Sequence, residues 1–326
     1  MKLRFVKYEE KNFILPKPVA TAKGEINSRT VFYVYLQDEK GNVAKGEAPP
    51  LDGFSFETVD DLRKKLKYEF ADCRKIISSF DFISLTQFDN ELKKCASSFP
   101  TLIFALGQAF VRLAIKNNLA NENNLNLIKE KLSEINKFEP KRNALISLVK
   151  SDFENKLKDL VLNGYETIKI KLPAKFDGEK LSVLKKFNVK FRFDPNGVWG
   201  KDEAEENLNL LSRLNIDYVE DPAATLPENI ELAEKFPNVL AIDLSARNID
   251  DLFFALENGV KIFVIKPAFL GSTDLLRFIA EARERNARVI ISSVFETKTA
   301  REFLLAFASL FPEETHGLME MDLKEI

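Results

Sequence analysis

The sequence predicts an α/β protein, a (β/α)8-type TIM barrel with an N-terminal α+β capping domain. Lys171, Asp194, Glu220, Asp243 and Lys266 follow one another at intervals of 23, 26, 23 and 23 residues, and each closes a short apolar run of strand character. From Asn143 onward such runs alternate with amphipathic helical stretches, the beat of a βα repeat. Before it, strands come first and helices second, the segregated order of a small α+β domain. These three observations place the cap at residues 1–98 and the barrel at residues 99–326, with the C-terminal tail packing back on the cap.

The cap opens with strands KLRFVKYEE and TVFYVYLQD, the second leading into a DEKGN turn of hairpin type. Val59 to about Ser97 is amphipathic and helical, with Leu62, Leu66 and Phe70 at fourfold spacing on one face. Pro100 then starts an apolar helix over TLIFALGQAFVRLAIKN, at a first-turn position where a missing N–H costs nothing.

The barrel strands follow in order. NALISLVK is the first, and its helix over SDFENKLKDLVLNG stops at Gly164, a C-terminal capping residue. TIKIKL precedes a helix over GEKLSVLKKF, and KFRFD leads through PNGVW to DEAEENLNLLSRL. DYVED is ended by Pro222 and followed by PENIELAEKF; VLAIDLS precedes NIDDLFFALENG; KIFVIKP precedes STDLLRFIAEARERN. RVIISS with helix TAREFLLAFASLF is seventh, and HGLME is the eighth strand. Continuous β-branched runs suit strands covered on both faces.

Composition excludes several function classes. The 326 residues are 45% hydrophobic, enough for a large core, and 48 basic residues nearly cancel 50 acidic ones, so no strong field draws nucleic acid or an anionic membrane. No run has signal-peptide character at the N-terminus or the length of a membrane span, so the expectation is a soluble, cytoplasmic protein. Cys73 and Cys95 have no metal-ligand spacing and are expected as reduced thiols. The single histidine, His316, is expected to serve the strand or turn ETHGLM, which leaves proton chemistry to carboxylates and lysines.

Residues at the C-terminal ends of parallel barrel strands converge on one face. Asp194, Glu220 and Asp243 would bring one carboxylate each from three neighbouring strands, and massed acids require a cation. Hard oxygen donors without His or Cys suit Mg²⁺, with Mn²⁺ as the alternative. Lys169 and Lys171 alternate onto one face of their strand, and Lys266 faces them across the barrel mouth. A lysine beside a cation has its charged form disfavoured, which makes it a base for abstracting a proton next to a carboxylate. Singly, each residue has a plainer role: a helix cap for the aspartates, a solvated strand end for Lys-x-Lys, a turn for Glu220-Asp221-Pro222. The combination points to chemistry.

At these residues the chain resembles the enolase superfamily, and within it the o-succinylbenzoate synthase family. The matching segments are IKIKLP, FRFDPNGVW, YVEDP, LAIDLS, VIKPAFLGS and ISSVFET, and in the cap GEAPPLDGFSFET, Gly46 to Thr58. A lysine base acting with Mg²⁺ is known chemistry of that superfamily and comes here from the resemblance. The resemblance implies Asp194, Glu220 and Asp243 as metal ligands, Lys171 as the base, Lys266 as the cation on the opposite face, and Lys169 as a neighbour tuning Lys171. It also implies substrate contacts from Arg192, Asn196, Ser292 and Ser293, and from Gly53, Phe54 and Ser55 in the substrate-facing loop 46–58. Residues 16–25 correspond to a lid loop. The implied partner is a small-molecule carboxylate, and the implied reaction is Mg²⁺-dependent syn dehydration of 2-succinyl-6-hydroxy-2,4-cyclohexadiene-1-carboxylate to 2-succinylbenzoate in menaquinone biosynthesis. N-acylamino acid racemisation and dipeptide epimerisation use the same two lysines. One departure stands out: the family has Asp-Glu after strand five, and this chain has Asp243-Leu244. Losing that acid should weaken support of the metal site.

Overall fold

The computed structural model describes residues 1–21, 24–119, 123–149, 152–271, 273–319 and 323–325. Strands β1 (Leu3–Thr21), β2 (Gly24–Asp38) and β3 (Val43–Ala48) form an antiparallel meander. The segment expected as a lid loop differs: Pro16 to Thr21 is strand, and Val19 to Thr21 pair with Ile26 to Gly24. Residues 22 and 23 of that segment lie outside the described residues. Pairing slips between Ile14 and Val19, around Pro16 and Pro18, because proline offers no N–H to a ladder.

Helices α1 (Val59–Tyr68), α2 (Ala71–Ser79), α3 (Leu85–Ala96) and α4 (Pro100–Lys116) follow. Thr58 and Asp61 close a capping box on α1, and Ser84 caps α3. Cys73 and Cys95, expected as reduced thiols, are corrected to a disulfide joining α2 to α3 with Cα atoms 5.6 Å apart. Helix packing brings together two residues that are 22 apart in sequence, which spacing alone did not reveal. Although counted with the barrel at residue 99, α4 lies on β2 and β3. The approach is close: a Cβ on Gly46 would sit 1.8 Å from the Ala105 carbonyl oxygen.

After α5 (Asn123–Ser133) the barrel is wound from β4 (Lys141–Arg142) continued by β5 (Ala144–Ser147), α6 (Phe153–Leu162), β6 (Thr167–Lys171), β7 (Lys190–Asp194), α7 (Lys201–Leu211), β8 (Ile216–Glu220) and α8 (Leu226–Lys235). Then come β9 (Leu240–Ala241), α9 (Ile249–Glu257), β10 (Ile262–Ile265), α10 (Thr273–Glu284), β11 (Arg288–Ile291), α11 (Lys298–Ala308) and β12 (Thr315–His316). Parallel pairing runs from β5 through β9, passes to β10 by the Ile242–Phe263 bridge, and continues to β11. The Ser292–Gly317 bridge carries it to β12, which pairs with β4 and closes the ring. A final short strand, β13 (Lys324–Glu325), pairs with β1 in the cap.

Where the sequence predicts a helix after β6, the chain forms a 3-10 helix over Gly178–Lys186. Leu181, Leu184 and Phe187 recur every three residues, which keeps them on one face at three residues per turn. His316 is fully buried, accepting from the Ile291 N–H through Nδ1 and bonding the Phe311 carbonyl through Nε2.

Three buried carboxylates dock helices by their N-termini. Glu47 accepts from the N–H groups of Thr297 and Ala300 and the Thr297 hydroxyl at α11. Glu57 accepts from the N–H and hydroxyl of Thr101 at α4, and Asp89 from those of Thr273 at α10. Each satisfies N–H groups that a first helical turn leaves unpaired. Burial pushes the Asp89 carboxyl up to about 6, against the Thr273 bonds and Lys93 and with the help of Asp274. An acid raised above its unfolded value of about 4 favours folding most at low pH and loses that contribution as pH rises from about 4 to 6. Asp89→Asn keeps an acceptor for Thr273 and cannot ionise, so its stability, measured by thermal unfolding at fixed salt, should vary less with pH over that window. An unchanged slope would reject the assignment.

Candidate active site

The C-terminal ends of β6 to β11 open into a cleft of about 910 Å³, mouth included, roofed by Leu51 and Phe54 of the cap. Lys169, Lys171, Asp194, Glu220, Asp243 and Lys266 all line it, with Asn196, Ser292 and Ser293. Below them Tyr218, Ala241, Ile262, Val264 and Ile290 fill the barrel interior. That packed floor makes the cleft a pocket and closes it as a channel.

Local chemistry explains how the first carboxylate is aimed. Asn196 and Gly197 take left-handed backbone angles, φ +59° and +67°, which bends the chain directly after β7. Asn tolerates that region and glycine enters it freely. The bend returns the Asn196 N–H to Asp194 Oδ1 at 3.0 Å, while a Cβ on Gly197 would press within 3.1 Å of the Ala223 carbonyl oxygen. Farther on, Trp199 is buried and donates to the Ala174 carbonyl at 3.0 Å. The FRFDPNGVW segment is thus a turn and an anchor around one carboxylate.

Charge is balanced within the pocket. Lys169 Nζ lies 2.8 Å from Asp194 Oδ2 and also bonds Glu220 Oε2. Lys171 Nζ is 3.5 Å from Asp194 Oδ2 and donates to Asn196 Oδ1 at 3.2 Å, and Lys266 pairs with Asp243 Oδ1. Burial opposes the charge on Lys169, but Asp194, Glu220 and Asp243 outweigh it and hold the ammonium well above its ordinary value. Burial also opposes ionisation of Asp194, yet Lys169 and Lys171 prevail and bring it to about 2. Glu220 is raised by burial, and by Asp194 and Asp243, against the pull of Lys169. Asp221, next in the chain, is pushed up to about 7 by burial and the Asp243 charge, against bonds from Ser245 and two backbone amides.

The donor set fits a hard divalent cation: three carboxylates, mutually repelling, with no His or Cys lining the cleft. Among the described residues no three such groups close around one point; Lys169 lies between Asp194 and Glu220, and Lys266 pairs with Asp243. Lys169 reaches Glu220 through Oε2 and Lys266 reaches Asp243 through Oδ1, so each carboxylate keeps a second oxygen to offer.

Three residues expected as substrate contacts lie elsewhere. Arg192 points inward like Asp194 but one layer deeper, and does not line the cleft. It is 1% exposed, donates to Asp217 at 2.8 Å, and lies 4.5 Å from the centre of the Tyr218 ring, which faces the cleft. A β-bulge explains its partner: Phe191 pairs with Ile216 and Arg192 with Tyr218, leaving Asp217 as the extra residue, where it also binds Arg288. Gly53 serves the turn with φ +80°, and Ser55 bonds the Leu51 amide and carbonyl. Of that trio only Phe54 reaches the cleft. Missed residues include Asn143 and Leu145, two apart on the extended chain that runs from β4 into β5 and therefore inward together, a signal that the strand period carries. Leu244 also lines the cleft, setting an apolar wall beside Asp243.

The family model described as enolase C-terminal domain-like matches residues 152–324, more than half of the chain. The chain belongs to the enolase superfamily. Among curated relatives of this superfamily member, an o-succinylbenzoate synthase of Aliivibrio fischeri (strain ATCC 700601 / ES114) is 26% identical over 86% of this chain and 80% of its own length. A hydrophobic dipeptide epimerase of Flavobacteria bacterium (strain MS024-2A) is also 26% identical, over 94% of this chain and 85% of its own. The crystal structure of o-succinylbenzoate synthase from Thermosynechococcus elongatus BP-1, with magnesium in its active site, superposes with a TM-score of 0.70 at 21% identity, covering 97% of this chain and 92% of that one. Dipeptide epimerase from Cytophaga hutchinsonii, with magnesium and D-Ala-L-Val, superposes at 0.76 and 17%, covering 97% and 85%. These superpositions show the same fold, a barrel with a cap.

Proposed function

We propose that this chain is an o-succinylbenzoate synthase, dehydrating 2-succinyl-6-hydroxy-2,4-cyclohexadiene-1-carboxylate to 2-succinylbenzoate in menaquinone biosynthesis. The observation that carries the reading is the meeting of Lys171 and Lys266, from β6 and the end of β10, in one cleft with three strand-end carboxylates. The cap segment shared with the synthase family, with Phe54 over the cleft, and the synthase relatives support it.

A Mg²⁺ ion held by Asp194, Glu220 and Asp243, with Mn²⁺ as the alternative, would supply positive charge to the substrate's carboxylate. Lys171 takes the proton from the carbon bearing that carboxylate. The bond electrons move into the ring as the neighbouring C–O bond breaks, and the new Lys171 ammonium gives its proton to the departing hydroxide on the same face. Water leaves and the ring becomes aromatic. Lys266 holds positive charge on the opposite face, where anionic character develops. Lys169 stays cationic between Asp194 and Glu220 and fixes their directions. Asn196 orients Lys171 through its side-chain oxygen.

A second reading, dipeptide epimerisation or N-acylamino acid racemisation, is favoured by the epimerase relative, which matches more of the chain than the synthase relative does. Epimerisation needs a base on both faces, whereas dehydration needs one. Lys266→Arg keeps the cation and removes the second base. Assayed on the cyclohexadiene substrate and on dipeptides, this variant should retain dehydration within about tenfold and lose epimerisation by about 100-fold or more. Wild-type turnover of dipeptides alone would replace the first reading by the second.

A further inference from the structure

Asp194 and Glu220 end β7 and β8, Asp243 follows β9, and Asp221, directly after Glu220, is bonded to the segments on either side. The Asp221 amide donates to the Ala241 carbonyl at 2.9 Å, and its own carbonyl accepts from the Gly197 N–H at 2.8 Å. Its carboxylate accepts from the Asp243 N–H at 3.0 Å and the Ser245 hydroxyl at 2.6 Å through Oδ1, and from the Ser245 N–H at 2.8 Å through Oδ2. Glu220 precedes it directly. Asp221 is buried and its φ is +37°, a left-handed angle that a residue other than glycine adopts at a cost offset here by the surrounding bonds. Asn229 fixes the chain beyond, holding the Ala223 N–H and carbonyl at 2.9 and 3.0 Å and reaching Asp221 Oδ1 at 3.5 Å.

We propose that Asp221 is the positioning residue that ties together the chain segments bearing the three carboxylates, so that they can close on a divalent ion, and that it supplies the support absent at Leu244. This rests on the metal-site reading above. Leu244 presents an apolar side chain to the cleft and has no acceptor for a backbone amide. The Asp243–Ser245 loop is gripped from β8 instead, by an acid that contacts neither the cleft nor the substrate. Three close donors, with the Asn229 amide at 3.5 Å as a fourth, converge on the two oxygens, a demand that a carboxylate meets. Asn at 221 has one acceptor oxygen and would turn an NH₂ toward an N–H or a hydroxyl.

The test is divalent-ion affinity of the full-length protein, by Mg²⁺ calorimetry and Mn²⁺ electron paramagnetic resonance, without substrate. Asp221→Asn should weaken affinity about 10- to 100-fold, the usual effect of removing an outer partner of a ligand. Ser245→Ala, which loses only the hydroxyl bond, should weaken it by a smaller factor. Asp89→Asn, remote from the cleft, should alter thermal stability and leave ion affinity unchanged. A folded Asp221→Asn with wild-type affinity overturns the proposal; if that variant does not fold, unchanged affinity in Ser245→Ala overturns it. Wild-type protein that binds no divalent ion overturns the metal-site reading and the proposal with it, whereas wild-type binding with unaffected variants overturns the proposal alone.

Discussion

Lys171→Ala should lower the dehydration rate by about 10²- to 10⁴-fold, the range expected for loss of a positioned general base. Lys171 is the lysine at the cleft with the looser ties, 3.5 Å from Asp194 and 3.2 Å from Asn196, whereas Lys169 is locked between two carboxylates. A group that must give and take a proton has to leave its resting contacts, and Lys171 can do so at least cost. Removing it leaves the Lys169 bridge and the Asn196 turn in place, so the variant should fold and retain ion binding. Rate measurement under saturating Mg²⁺, with circular dichroism to confirm folding, decides the point. Near-wild-type turnover in the folded variant would remove Lys171 from the mechanism.

Glu220→Gln should cost ion affinity more than about 100-fold and suppress turnover at ordinary Mg²⁺ concentrations. The substitution is nearly isosteric and its amide oxygen can still accept from Lys169, so the loss would report charge and ligation. Glu220 is central: burial raises its pKa, Asp194 and Asp243 raise it further, and Lys169 lowers it. Neutralising it relieves the repulsion among the acids, so thermal stability without metal should stay level or rise as metal affinity falls. Calorimetry and metal-free melting on the same sample separate the two. A variant that binds Mg²⁺ like wild type would dismiss Glu220 as a ligand.

How much of this was legible beforehand differs by residue. The five strand-end residues could be found because a parallel barrel imposes both an interval and a direction, and each of them lies in the cleft. Ser292, Ser293 and Asn196, given by resemblance, also line the cleft. Arg192, given by resemblance as a substrate contact, does not line the cleft, since alternation gives the face a side chain takes but not its depth, and the bulge at Asp217 claims that guanidinium. Glu47, part of the cap segment that narrows the family, proves to dock helix α11. A shared motif need not be a set of substrate contacts.

Sequence alone determined the chemistry available, three carboxylates and three lysines at or near strand ends, because strand period and barrel direction are local properties repeated along the chain. Only the tertiary structure decided which of these groups pair, that Cys73 and Cys95 are bonded, and that Asp221 grips the Asp243 loop across from β8. Those outcomes depend on contacts between residues distant in sequence. Their distances are set by how helices and loops pack, which no local pattern encodes.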